Sequence, residues 1–131
     1  MTPARRTSSW SGSCAAKAGC SRDEFSAYWE HVHGPLFLGI EEVGAHVTKY
    51  VQNHVFEDCT GVMGDRCDGV VEIGLTRIED APRVFAGNYL DVVRPDEERL
   101  VDLEDMIVVV TDEVLLYVDG LGPLVHDAVP A

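Results

Sequence analysis

Cations are scarce in this chain: 10 Lys and Arg stand against 23 Asp and Glu, a net charge of −13. Such a surface repels nucleic acid and anionic lipid, so neither is expected as a partner. Long apolar runs are missing too, since none approaches the ~18 residues of a membrane span. The sequence holds no H-E-x-x-H, no paired C-x-x-C, no G-x-G-x-x-G and no G-x-x-x-x-G-K-[ST]. Metalloprotease, zinc-ribbon, dinucleotide and P-loop readings therefore have no motif behind them. The four cysteines (Cys14, Cys20, Cys59 and Cys67) follow no common zinc spacing, although Cys59 and Cys67 flank a Gly-rich loop and can bridge if oxidised. Arg5-Arg6 runs into Thr7-Ser8-Ser9-Trp10-Ser11-Gly12, not into an apolar segment. Neither a secretory nor a twin-arginine leader is read there, so a cytoplasmic location with reduced thiols is the default expectation.

What remains is a chain of 131 residues that is 46% hydrophobic, enough for one domain with one core. Its best-patterned stretch is Ser21–Pro35, S-R-D-E-F-S-A-Y-W-E-H-V-H-G-P. Ser21 is placed to cap a helix, with Glu24 three residues on to bond back to the cap. Phe25, Tyr28, Trp29 and Val32 then make one helical stripe. Gly34 reads as a left-handed stop and Pro35 as a block, so the helix is predicted over 22–33. His33 falls beside the aromatic stripe in the last turn. A short second helix is expected from Leu36, ending near Gly44.

Val47–Phe56 alternates, with Thr48, Tyr50, Gln52, His54 and Phe56 on one face. Residues 57–66 read as a loop. Asp68–Arg77 alternates again, with Gly69, Val71, Ile73 and Leu75 as the apolar face. Asp80 is expected to cap a short helix with Pro82 in its first turn and Val84 and Phe85 facing inward. Further helical pieces are expected at 89–94 and 96–102, split at Pro95. Met106–Thr111 is a nearly unbroken β-branched run and reads as a buried central strand. Three segments follow: 1–19, poorly patterned, with at most a short first strand around Trp10–Ala16; a folded domain over 20–118; and a tail over 119–131. The element order predicts an α+β, ferredoxin-like βαββαβ arrangement, a four-stranded antiparallel sheet with helices on one face. Its other face must be solvated or covered, and its Val/Ile content argues for a partner.

The segments S-R-D-E-F-S-A-Y-W-E-H-V-H-G-P-L, Y-V-Q-N-H-V, D-G-V-V-E and D-L-E-D-M-I-V-V-V-T-D-E, in that order, resemble the EthD-domain family of the dimeric α/β-barrel superfamily. The resemblance implies two monomers paired sheet to sheet as a closed barrel. It also implies a small cofactor-free enzyme of aromatic or polyketide-type metabolism, with no cofactor and no metal, acting on a small aromatic substrate. One departure stands out. The family opens with a regular apolar strand, whereas here T-S-S-W-S-G-S-C-A-A holds that place.

His33, His54 and Tyr50 are the candidate catalytic residues, because imidazole exchanges protons near neutral pH without a metal. One imidazole would take a proton next to a carbonyl or from a phenol. The other, or Tyr50, would hold the developing oxyanion. Tyr28, Trp29, Phe37, Gln52, Phe56, Glu72 and Phe85 are the candidate substrate contacts, with Tyr28 and Trp29 also expected in the core. Glu72 is a candidate to orient an imidazole or act as base. With the two histidines it would otherwise make a 2-His-1-carboxylate iron site. His31 and His126 are expected in solvent and His46 is unassigned. Cyclisation, dehydration, decarboxylation or isomerisation would all use this chemistry. A cofactor-free monooxygenase of phenol- or anthrone-like substrates and a non-catalytic ligand-binding protein are the alternatives.

Overall fold

The computed structural model describes residues 5–55 and 67–123. Phe56, Cys59 and His126, each named above, lie outside them. The chain runs β1 (Arg5–Cys14), α1 (Arg22–Tyr28), a π-helical turn (Trp29–His33), α2 (Gly34–Leu38), α3 (Glu41–His46), β2 (Val47–His54) and β3 (Gly69–Leu75). It continues through α4 (Ala81–Val84), a second π-helical turn (Tyr89–Val93), α5 (Arg94–Leu100) and β4 (Val108–Leu115), then a small ribbon of β5 (Tyr117–Val118) and β6 (Gly122–Pro123). The main sheet is antiparallel in the order β2-β3-β1-β4. That is the expected ferredoxin-like order of elements.

The expected barrel is not formed. β2 and β4 are opposite edges of one open sheet. Four strands are too few to close on themselves, since a small barrel takes about eight. The correction applies to the closure alone; the four-stranded sheet with helices on one face stands as predicted.

The N-terminal segment is more regular than its composition suggests. β1 spans ten residues and pairs on both sides, with β3 through Ser8↔Leu75 to Cys14↔Gly69 and with β4 through Arg5↔Leu115 to Gly12↔Val108. Two ladders of hydrogen bonds compensate for weak strand propensity. At Gly12 on its inner face the space a Cβ would take is filled by Met106, whose Cε would lie 2.5 Å away and would have to move. Met106–Thr111, by contrast, is not a central strand. β4 is an edge, and Val108, Val109 and Val110 are exposed. A β-branched run fixes strand conformation but not position in the sheet.

Ser21 caps α1 by accepting from the Glu24 N–H at 3.1 Å, and its hydroxyl donates to the Glu24 carboxylate at 3.0 Å. The helix does not stop at Gly34. That residue has right-handed dihedrals (φ −57, ψ −54), and the π turn carries the rod on into α2 with Pro35 in its first turn. Gly34 is needed for space instead: a Cβ there would come 2.9 Å from Gln52 Nε2. Asp80 likewise makes no side-chain cap; it is buried and faces His46, Arg77 and Arg83. The core lies between the helices and the inner sheet face, centred on Phe25, Leu75, Val84 and Val93. Each of these contributes roughly 1.5–3 kcal/mol by burial.

Candidate active site

Strand parity decides what can meet what. Tyr50↔Ile73 and Trp10↔Ile73 put Tyr50, Ile73 and Trp10 on the inner face. Two residues on in register, Gln52, Val71 and Gly12 share that face, and then His54, Gly69 and Cys14. The helices above present Trp29, His33 and Phe37, and the second π turn with α5 presents Tyr89, Val93 and Glu97. Between the two layers lies a cavity of about 40 Å³, enough for a few waters. Its lining includes Trp29, His33, Phe37, Tyr50, Phe85 and Tyr89, with Glu97 and Cys14.

His33 is 6% exposed, and its Nδ1 lies 2.8 Å from Asp96 Oδ2, itself on a buried carboxylate. A carboxylate only accepts, so Nδ1 carries the proton and donates it. In the neutral ring, the other nitrogen, Nε2, then carries a lone pair on a residue that lines the cavity. Asp96 also accepts from the Tyr28 hydroxyl, which raises the Tyr28 phenol above its ordinary range. Asp96 lies within the rod that runs without a break from the second π turn into α5.

Tyr50 is reached from the other side. Gln52 Nε2 donates to the Trp29 carbonyl at 2.8 Å and to the Tyr50 hydroxyl oxygen at 2.9 Å. The carbonyl can only accept, which fixes the amide orientation. Gln52 Oε1 therefore faces His54 Nε2 at 2.9 Å, and that nitrogen must donate. His54 Nδ1 meets the Ser26 hydroxyl. Its ring stacks on Trp29 with centroids 4.8 Å apart. With one lone-pair direction of Tyr50 occupied by Gln52, its own hydrogen has no acceptor among the described residues. Burial raises the Tyr50 phenol above its usual range, although the Gln52 donor pulls the other way. It keeps its proton at neutral pH.

A third pair was not foreseen. The Tyr89 hydroxyl donates to Glu97 Oε2, and Arg94 Nη1 sits 3.6 Å from the other carboxylate oxygen. Burial, with the Glu97 charge added, holds the Tyr89 phenol far above its ordinary range. Burial also pushes the Cys14 thiol up to about 12, with Glu97 as the next cause.

The predicted residues thus separate. His33, Tyr50, Trp29, Phe37 and Phe85 line the cavity. Gln52 and His54 stand behind Tyr50 and Trp29 as supports. Tyr28 stands behind Asp96 and, contrary to the expectation of a core position, is 38% exposed, its ring at the outer end of the bond to that carboxylate. Glu72 pairs with Val51 and Ser11, on the outer face, and accepts from Asn53 at 2.9 Å. It therefore neither orients an imidazole nor completes an iron site with the histidines. Among the described residues, no group of three or more His, Cys, Asp and Glu is arranged to hold a metal. His46 pairs with Asp80 at 3.5 Å and His31 with Glu30 at the surface. Asp68 accepts from the Ala16 N–H and from Arg22 Nε. Cys14, Cys20 and Cys67 are free thiols.

Asp96, Glu97 and Tyr89 were missed because the chain was read as broken at Pro95. A continuous face Tyr89, Val93, Asp96/Glu97, Leu100 at i, i+4, i+7/i+8, i+11 was available as a signal.

No curated protein matches the chain. Among solved structures, it is similar to an EthD-like protein from Ralstonia eutropha JMP134, with 11% identity and a TM-score of 0.56 over 91% of this chain and 96% of that one. It is also similar to a hypothetical protein of Arabidopsis thaliana, with 10% identity and a TM-score of 0.55 over 86% of this chain and 93% of that one. At such identity the likeness carries the fold alone. A model of the EthD domain matches residues 17–104, so the chain belongs to the EthD domain family.

Proposed function

We propose that the chain is a cofactor-independent enzyme that removes a proton from a small aromatic or polyketide-like carbonyl compound. The observation that carries this reading is the Asp96–His33 dyad at 2.8 Å beside a cavity with aromatic walls. His33 Nε2 takes the proton, and Asp96 stabilises the imidazolium that forms. The Tyr50 hydroxyl donates to the enolate oxygen as charge develops there. His54 acts through Gln52, holding Tyr50 in place, and is a positioning residue. Trp29, Phe37 and Phe85 sandwich the ring. A ring needs more room than a few waters, and the unbranched Met106 side chain is the wall best able to yield. Proton removal of this kind serves cyclisation, dehydration, decarboxylation or isomerisation alike. On the same reading the protein works in the cytoplasm, and a second copy covers the outer sheet face around Val51, Val70 and Val109.

Deuterium exchange tests this directly. Enolisable aryl ketones incubated with the protein in D2O should gain deuterium at the α-carbon, faster than in buffer. His33→Gln should abolish the gain, and Tyr50→Phe should lower it by about 10²-fold. Equal exchange by the wild-type and His33→Gln proteins would refute the reading. Tight binding of ketone with no exchange in any member would put the protein among non-catalytic binders.

A further inference from the structure

Each polar group in the cavity is committed on its far side, and that commitment fixes the sign it shows to the interior. His33 Nδ1–H donates to Asp96, so in the neutral ring Nε2 is an acceptor. Tyr89 gives its hydrogen to Glu97, so its oxygen can only accept. Tyr50 receives a hydrogen from Gln52, so its own hydrogen is offered outward. The interior therefore shows one phenol donor and two neutral acceptors, with the Glu97 carboxylate beside them, on aromatic walls.

Charge adds a second constraint. The Glu97 carboxylate lines the cavity and Asp96 stands directly behind His33. Among the described lining residues there is no lysine or arginine. Arg94 reaches Glu97 at 3.6 Å and lies over the Tyr89 ring at 5.3 Å, half-buried behind the lining, and Arg99 reaches Asp96 at 3.6 Å but is largely in solvent. The raised phenols of Tyr50 and Tyr89 and the raised Cys14 thiol, each with Glu97 among its causes, agree with an interior that disfavours negative charge.

We infer that the ligand is a neutral hydroxy-carbonyl aromatic, whose carbonyl oxygen meets the Tyr50 hydrogen and whose hydroxyl hydrogen meets Tyr89 or His33, and that aromatic carboxylates are turned away. The inference rests on the proposed site but concerns recognition, not turnover. It excludes salicylate- or benzoate-like acids, because their carboxylate brings a second negative charge beside Glu97, whether or not a ring hydroxyl can donate. It selects phenolic ketones and their hydroxylated relatives. An unmet buried acceptor facing an acceptor costs on the order of tenfold or more in affinity.

Ligand-observed NMR titration tests the polarity. The probes are the three hydroxyacetophenone isomers, acetophenone, phenol and para-hydroxybenzoate. The tightest hydroxyacetophenone should bind about tenfold better than acetophenone and phenol, and at least about tenfold better than para-hydroxybenzoate. Tyr50→Phe should cancel the advantage over phenol. Glu97→Gln removes the charge and can donate to Tyr89, which frees the Tyr89 hydrogen, so the handicap of para-hydroxybenzoate should shrink by about tenfold. If Glu97→Gln does not fold, Tyr89→Phe serves instead and should narrow the gap between hydroxyacetophenone and acetophenone. Para-hydroxybenzoate binding as well as the ketone, or no saturable binding by any probe, would overturn the inference. Correct binding polarity without His33-dependent exchange would sink the catalytic reading and leave this one. Exchange with the wrong polarity would do the reverse.

Discussion

Replacing Asp96 should separate a working dyad from two neighbours in contact. The carboxylate accepts from His33 Nδ1 at 2.8 Å and from the Tyr28 hydroxyl, at 3% exposure. Hydrogen bonds to a charged acceptor are worth about 1.5–3 kcal/mol each and neutral ones about 1. Asp96→Asn keeps the shape and loses the charge, so it should cost about 2 kcal/mol. Asp96→Ala strands the His33 N–H in the interior and should cost about 3–4 kcal/mol. Tyr28 is 38% exposed and can turn to water, so Tyr28→Phe should cost only about 1 kcal/mol. Arg99 is largely in solvent and adds little. Urea unfolding followed by tryptophan fluorescence reads these differences, because Trp29 is buried beside His54 and changes environment on unfolding. A cycle of Asp96→Asn, His33→Gln and the double variant should give a coupling of about 1–2 kcal/mol. Coupling within error of zero, or Asp96→Ala as stable as wild type, would refute the dyad.

Two further outcomes follow from the same packing. Gly69→Ala would place a Cβ 2.4 Å from Trp29 Cζ3 and 3.1 Å from the Asn53 carbonyl, so it should cost about 1–3 kcal/mol and alter the near-UV tryptophan signal; an unchanged melting temperature would contradict the position of Trp29. Cys14 keeps its proton to about 12 when folded, against 9.0 for the exposed thiol. Above pH 9 the unfolded chain therefore binds fewer protons, and stability should fall as pH rises, by at most about 1.4 kcal/mol per pH unit from this group. Urea midpoints measured against pH should show that fall, with a shallower slope in Cys14→Ala; equal slopes would contradict a buried neutral thiol.

The inner face of β2 was legible in the sequence because Tyr50, Gln52 and His54 alternate with residues of another kind, and a period of two survives in any sheet that covers a core. The stripe of 22–33 was legible only in part: Phe25 and Trp29 are buried as expected, whereas Tyr28 and Val32 are exposed, because the π turn that begins at Trp29 departs from the 3.6-residue period. β1 was not, since serines at 9, 11 and 13 carry little strand propensity, and what orders them is pairing with β3 and β4, which lie far along the chain. Sheet position was equally hidden: the valines of β4 read as central and lie at an edge. Glu72 was placed correctly opposite the apolar face of β3, but the register that sets it beside Val51 and not beside His54 or Tyr50 could not be read across the long loop between β2 and β3. The roles of His33 and His54 were read as equivalent. Their difference comes from partners that no spacing reveals: Asp96, 63 residues from His33, and Ser26 and Gln52 around His54.

The tautomers of these two rings give the most direct test. Long-range 1H–15N spectra of the whole protein, assigned with His33→Gln and His54→Gln, report which nitrogen carries the proton in each neutral ring. His33 should be protonated on Nδ1 with a bare Nε2, and His54 on Nε2 with Nδ1 accepting from Ser26. His33 protonated on Nε2 in its neutral form would leave the cavity without its base and contradict the account.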